Sequence, residues 1–241
     1  AVELMNSRAK MLGMNGTVYT DCTGMGEGNV TTAKDTALLC SELAKYKNLT
    51  PYLTCWLDTV RDGKAELVNL NRLVRTYKGV TGMKAWGSEK AGSCIAATAE
   101  KGDMSVCVVL NGCDSQEDMN AEAKKLLNLA FDTYEIYTPE LPEDMVKETV
   151  VCGGEELSVK LAPEGLYPIV IPRGTYRIVE CDFTAEEKLD APVKNGETAG
   201  EIRYTMGGEV ILEGKIVACK EVKKMNFICG IKKLVYNLLS M

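Results

Sequence analysis

The sequence predicts an α+β chain: a first domain of helices with an antiparallel sheet, then a small all-β sandwich, then an amphipathic helix at the C-terminus. Three observations carry this. Helical and alternating apolar periods are interleaved over the first half of the chain. The segment "TPELPEDMVKE", with two prolines and an acidic run, breaks both periods and reads as a linker. Beyond it come short β runs divided by glycine and proline turns. The expected boundaries are 1–138 for the first domain, 139–148 for the linker, 149–223 for the β domain and 224–241 for the last helix.

In order, "VELMNSRAKMLGM" places Val2, Met5, Ala9 and Leu12 on one helical face and stops at Gly13. A polar, glycine-rich loop follows. "VTTAKDTALLCSELAKY" opens on threonines suited to N-capping and carries Ala33, Ala37, Leu38 and Ala44 at helical spacing. Strands are expected in "ELVNLNRLV", "GVTGMKAW", "GSCIAATA" and "MSVCVVL". "DSQEDMNAEAKKLLNLAFDTYEIY" reads as a helix with Ala123, Leu126, Leu127 and Ala130 facing inward. In the β domain, "MGGEV" between alternating runs is a hairpin signal. The final "KKMNFICGIKKLVYNLLSM" has one apolar stripe flanked by lysines. It is too short and charged to span a bilayer, but it suits either peripheral membrane contact or packing on its own domain.

Composition removes several functions. The 241 residues contain no histidine, which excludes Ser-His-Asp and Cys-His nucleophile systems within the chain and any imidazole-dependent zinc site. A net charge of −6 gives no broad basic surface for phosphates, so no nucleic-acid partner is expected. The ten cysteines form no C-x-x-C pair and several sit in apolar runs. They read as small buried hydrophobes, with disulfides possible but not demanded. No signal peptide is visible, and a chain starting at Ala1 reads as processed or cut from something longer.

The segments "VELMNSRAKMLGM", "TTAKDTALL", "LNRLVRTYKGVTGMK", "AGSCIAATA" and "EAKKLLNLAF", followed by the β module, resemble in content and order the low-molecular-mass penicillin-binding proteins. More narrowly, they resemble D-alanyl-D-alanine carboxypeptidases of the S11 serine peptidase family. The resemblance implies a partial transpeptidase/β-lactamase-like first domain. It also implies an exported bacterial enzyme of the cell envelope, trimming D-alanine from peptidoglycan stem peptides without a cofactor. The implied mechanism is an acyl-enzyme on the serine of an S-x-x-K motif, with S-x-N and K-T-G motifs assisting.

Against that pattern, Ser7 and Lys10 fit S-x-x-K, and Tyr46-Lys47-Asn48 fits the second motif. Both are read as coincidences, because "LMNSRAK" corresponds to a helix that follows the true motifs in the family. The nucleophile segment is expected about a hundred residues upstream, roughly half a typical domain. The stretch "GVTGMKAWGSEKAG" corresponds to the family's "GVDGIKTGHTDEAG". Lys84 matches the K-T-G lysine, while Ala85 stands for threonine and Trp86 for glycine. Gly87 falls where a backbone N–H would help hold the oxyanion. Trp86 is expected to lie on the opposite sheet face from Ala85 if it is to leave the cleft open. Met119 stands where many members carry a carboxylate-binding arginine, and Asp35 matches the family, with a helix-supporting carboxylate as its plainer role. The chain as given is expected to be inactive. The alternative is a non-catalytic homologue that binds peptidoglycan or an envelope protein.

Overall fold

The computed structural model describes residues 1–24, 26–143, 145–227 and 231. The chain divides into two compact units, Ala1–Glu135 and Ile136–Met241. Both mix secondary structure as the α+β expectation requires, helices and antiparallel strands in the first and chiefly strands in the second.

The first unit begins with α1 (Val2–Met11), which ends as Gly13 turns into the left-handed region at φ 76°. A loop follows, organised by the Asp21 carboxylate. It accepts the backbone N–H groups of Thr23, Gly24 and Gly26, the Thr23 hydroxyl and the Asn29 amide. Those bonds hold its pKa down to about 2. Helix α2 (Ala33–Leu43) starts at Thr32, whose hydroxyl accepts the Asp35 N–H at 3.1 Å, the cap its threonines promise. The short α3 (Thr50–Leu53) leads into a hairpin of β1 (Leu57–Val60) and β2 (Ala65–Val68).

The expected strand "ELVNLNRLV" ends early, at Val68. The Asn71 carboxamide oxygen accepts the Leu73 N–H and starts a helical turn, α4 (Leu73–Thr76). Then come β3 (Val80–Ser88), β4 (Gly92–Lys101) and β5 (Met104–Cys113), an antiparallel sheet in that order. Central β4 is covered on both faces, and its run of small apolar residues replaces alternation for that reason. One face holds Ala85, Ile95, Ala97 and Val108 against α5 (Gln116–Thr133). The other holds Met83, Ala96, Trp86 and Cys107, with Cys40 of α2 and Leu53 of α3.

Helix α5 is present, but its inward row is Met119, Ala123, Leu127 and Phe131, not the expected set. Ala123 and Leu127 keep their places, whereas Leu126 is more than a third exposed. A strict i, i+4 row gives a narrow ridge against the sheet, and Leu126 falls off its side. "TYEIY" leaves the helix to form β6 (Tyr134–Tyr137). On α2 the buried positions are Asp35 and Cys40, while Ala33 and Leu38 face outward. The helix is rotated so that its carboxylate reaches the loop before it.

The second unit contains β7 (Glu148–Cys152), β8 (Ser158–Glu164), β9 (Ile169–Pro172), β10 (Val179–Ala185), β11 (Lys188–Asp190), β12 (Thr198–Met206) and β13 (Glu209–Ala218). Six of them run β10-β12-β13-β8-β7-β11. Strand β8 serves both halves. Ser158–Lys160 pairs with β7 and Leu161–Glu164 with β13, so the sheet folds over itself there. A single core fills the fold, with Val151, Val159 and Leu189 from one half and Ile202, Tyr204, Leu212 and Ile216 from the other. The β12–β13 turn is Gly207-Gly208, with φ 60° and 84°, the conformation that two-residue hairpins ask of glycine. The buried Tyr204 hydroxyl donates to the Glu140 carbonyl at 2.9 Å, so its polar atom is satisfied inside the core.

Of the nine described cysteines, Cys40 and Cys94 are buried, three are half-buried, and Cys22, Cys55, Cys152 and Cys219 are exposed. The reading as buried hydrophobes therefore fails for the last four. The amphipathic helix expected over 224–241 falls almost wholly outside the described residues. Among those that are described, no helix is long and apolar enough to cross a membrane.

Candidate functional site

Strand β3 is the outer strand of its sheet among the described residues, so one of its main-chain edges has no strand partner. Lys84 sits opposite Ala96 and is exposed, between buried Met83 and Ala85. It forms no ion pair among the described residues. Ala85 is 3% exposed and Met119 1%, and both belong to the apolar cluster between the sheet and α5. Trp86, half-buried, packs instead into the cluster on the α2 face. Adjacent strand residues point to opposite faces, and Ala85 and Trp86 divide in that way. Gly87 is exposed, with its Cα turned toward β4 so closely that a Cβ there would stand 2.9 Å from the Gly92 carbonyl oxygen.

A cavity of about 400 Å³ lies at this end of β3, bordered by Ala85, Trp86, Gly87 and Met119. Its polar edge was not foreseen from sequence. Ser88, Glu89 and Ser93 come from the β3–β4 turn, and Asp114 and Gln116 from the link between β5 and α5. The local signal is only that these are turn residues. Their meeting depends on hairpin register, which residue spacing does not encode. Among the described residues no lysine or arginine borders the cavity, so its inner wall offers hydroxyls, an amide and carboxylates rather than a cation.

Ser7 and Lys10 lie exposed on α1, and neither borders this cavity. The helix is fixed by buried Ala9 and by Arg8, which pairs with Glu42 at 2.7 Å. Tyr46 and Asn48 are exposed in the turn after α2, and Lys47 pairs with Glu100. Among the described residues, no group of three His, Cys, Asp or Glu is placed to hold a metal ion.

Asp35 does more than support its own helix. Only 5% exposed, it accepts the Gly16 N–H at 2.8 Å and the Thr17 hydroxyl at 2.7 Å, tying the loop to α2. The Thr17 hydrogen bond is the largest cause that holds its carboxyl below the usual range. A depressed carboxylate pKa contributes stability that is present above the unfolded value and is lost as pH falls through the folded one. Asp35→Asn is therefore expected to destabilise the chain at neutral pH and to flatten the acid limb of its stability profile. Urea titrations at a series of acidic pH values measure both effects.

Comparison with known proteins places these features. Residues 1–114 match the family model for D-alanyl-D-alanine carboxypeptidase, and residues 131–224 match the C-terminal domain of penicillin-binding protein 5. The chain is 31% identical to D-alanyl-D-alanine carboxypeptidase DacF of Bacillus subtilis over 237 residues, which is 96% of this chain and 61% of DacF. It is 29% identical to DacC of Escherichia coli, covering 94% of this chain and 57% of that one. Penicillin-binding protein 5 of Haemophilus influenzae shares the fold with a TM-score of 0.76 at 24% identity, over 92% of this chain and 66% of that one. The chain thus spans about six-tenths of the length of its curated relatives.

Proposed function

The chain belongs to the D-alanyl-D-alanine carboxypeptidase family of penicillin-binding proteins, and from that premise we propose that it carries the substrate-side strand of a serine-type carboxypeptidase. The observation that carries this reading is the placement of Lys84: an exposed ammonium, without an ion pair among the described residues, on a strand that has no strand partner along one edge among them. An extended peptide can add to such an edge through main-chain hydrogen bonds. The Lys84 ammonium would then attract the terminal carboxylate, and the Gly87 N–H would face the reacting carbonyl oxygen. The substrate class is the D-alanine-terminated stem peptide of peptidoglycan. The setting is the bacterial cell envelope, with residues 224–241 as a peripheral membrane contact.

The chain as given does not complete the reaction. In this reading Ser7 is not the attacking serine, since it stands exposed on α1 and away from the cavity lining. Incubation with a fluorescent penicillin is expected to leave the chain unlabelled. A covalent adduct mapped to Ser7 would overturn this assignment.

A second reading, a non-catalytic peptidoglycan- or envelope-binding homologue, is favoured by one observation. Ala85 and Met119 replace the family's threonine and arginine with groups sealed into one apolar cluster, which removes two hydrogen-bonding partners for a carboxylate. One hydrogen bond to a charged group is worth about 1.5–3 kcal/mol. The same penicillin experiment on a chain that includes the upstream sequence separates the two readings. Acylation supports the enzyme, and its absence supports the binder.

A further inference from the structure

The three departures from the family pattern meet in one place. Ala85, Trp86 and Met119 all border the cavity of about 400 Å³ at the end of β3, a volume within the roughly 300–1,000 Å³ of small-molecule sites. Its lining is of two kinds. Trp86 and the exposed Leu70 bring large apolar side chains, with Ala85 and Met119 beside them. Trp86 is half-buried: it packs in the cluster on the α2 face and still borders the cavity. The β3–β4 turn and the link to α5 bring the polar groups, and these are little used within the protein. Neither Glu89 nor Asp114 forms an ion pair among the described residues. Ser88 Oγ accepts the Ala91 N–H at 3.1 Å, which leaves its own proton to donate.

We propose that this cavity binds an N-acetylated hexopyranose, the sugar chemistry of a peptidoglycan glycan strand, with Trp86 as the apolar platform and Glu89 and Asp114 as acceptors for the sugar hydroxyls. The inference rests on the second reading above, a non-catalytic peptidoglycan binder, and names the part of peptidoglycan that is held. A ligand carboxylate is the wrong partner, since it would meet two like charges and no lining cation among the described residues. A bare cation would match the carboxylates but leave the surface of Trp86 and Leu70 unused. A pyranose matches both, with a C–H face for the indole and a rim of hydroxyls. Ionised carboxylates only accept, hydroxyls donate to them, and such charge-assisted bonds are the strong ones. The acetyl methyl suits the apolar side chains of Leu70 and Met119. The same substitutions that weaken carboxylate recognition thus build the sugar site. Tryptophan supplies a face where the family's glycine has none, and methionine in place of arginine removes a cation from beside Glu89 and Asp114.

The test titrates the full chain with N,N′-diacetylchitobiose while the two tryptophan indole N–H signals are followed by NMR. Trp86 is expected to shift, and Trp56, which lies against the Arg75 guanidinium and does not border the cavity, to stay still. Glu89→Gln and Asp114→Asn, both at exposed positions, are each expected to weaken binding about tenfold, the loss of one charge-assisted hydrogen bond. Trp86→Gly is expected to abolish it. Should that variant fail to fold, the two carboxylate variants and the wild-type shift carry the test. A sugar-free stem pentapeptide and glucosamine, with its free ammonium, are titrated in parallel. If the pentapeptide moves Trp86 and the disaccharide does not, the inference falls while the peptidoglycan reading stands. If neither moves it at millimolar concentration, the inference falls and that reading loses its support at this cavity. Tighter binding of glucosamine than of its N-acetylated form would show a cation site and overturn the inference.

Discussion

Leu127→Ala is expected to lower the unfolding free energy by about 2–5 kcal/mol, the range for a buried leucine truncated in a packed core. Leu127 is fully buried midway along the α5 row and packs in the cluster that includes Ile95, Ala97 and Ala85 of the sheet. Much of that cluster's sheet side is alanine, which has no rotamers with which to fill a void. The loss should therefore fall in the upper part of the range. Urea unfolding followed by circular dichroism would show the midpoint falling with the slope unchanged. A change under 1 kcal/mol would mean that α5 is not the principal cover of this sheet face. Lys84 lies on the strand that this cluster holds through Ala85, so the same variant should loosen the proposed substrate edge as well.

Gly200→Ala is the corresponding test in the β domain, expected to cost about 1–3 kcal/mol or somewhat more. Gly200 of β12 pairs with Ala185 of β10, and a Cβ built on it would stand 2.0 Å from the Thr184 carbonyl oxygen. The obstructing atom is main chain, so no side-chain rotation relieves the clash and the strands must part locally. The register between β12 and β13 already shifts between Thr198 and Gly200, which places the strain where the ladder is irregular. Thermal unfolding of the variant measures the loss. An unchanged midpoint would show that β10 separates from β12 at little cost.

The two-part α+β organisation was legible because it rests on periodicity and punctuation. The Thr32 cap, the α5 helix and the Gly207-Gly208 hairpin all follow from local chemistry that acts within a few residues. The misplacements have two causes, one local and one tertiary. "NRLV" reads as strand by composition, yet the Asn71 side chain starts a turn there. Leu126 and Leu38 are apolar residues at helical spacing, and only the partner surface decided that Met119 and Cys40 would be buried in preference to them.

The candidate site divides the same way. Residue identity alone determined that Lys84 heads a K-T-G-like stretch, that Ala85 and Trp86 depart from it, and that no histidine can serve as a base. Tertiary structure decided the rest: Ala85 joins Met119 in one sealed cluster, Trp86 takes the opposite face, and the β3–β4 turn shares a cavity wall with the start of α5. The physical reason is range. Helix periods, caps and tight turns are fixed by interactions between near neighbours, whereas strand register and the seating of a helix on a sheet are set by residues far apart in sequence, and a single chain read in order does not contain those pairings.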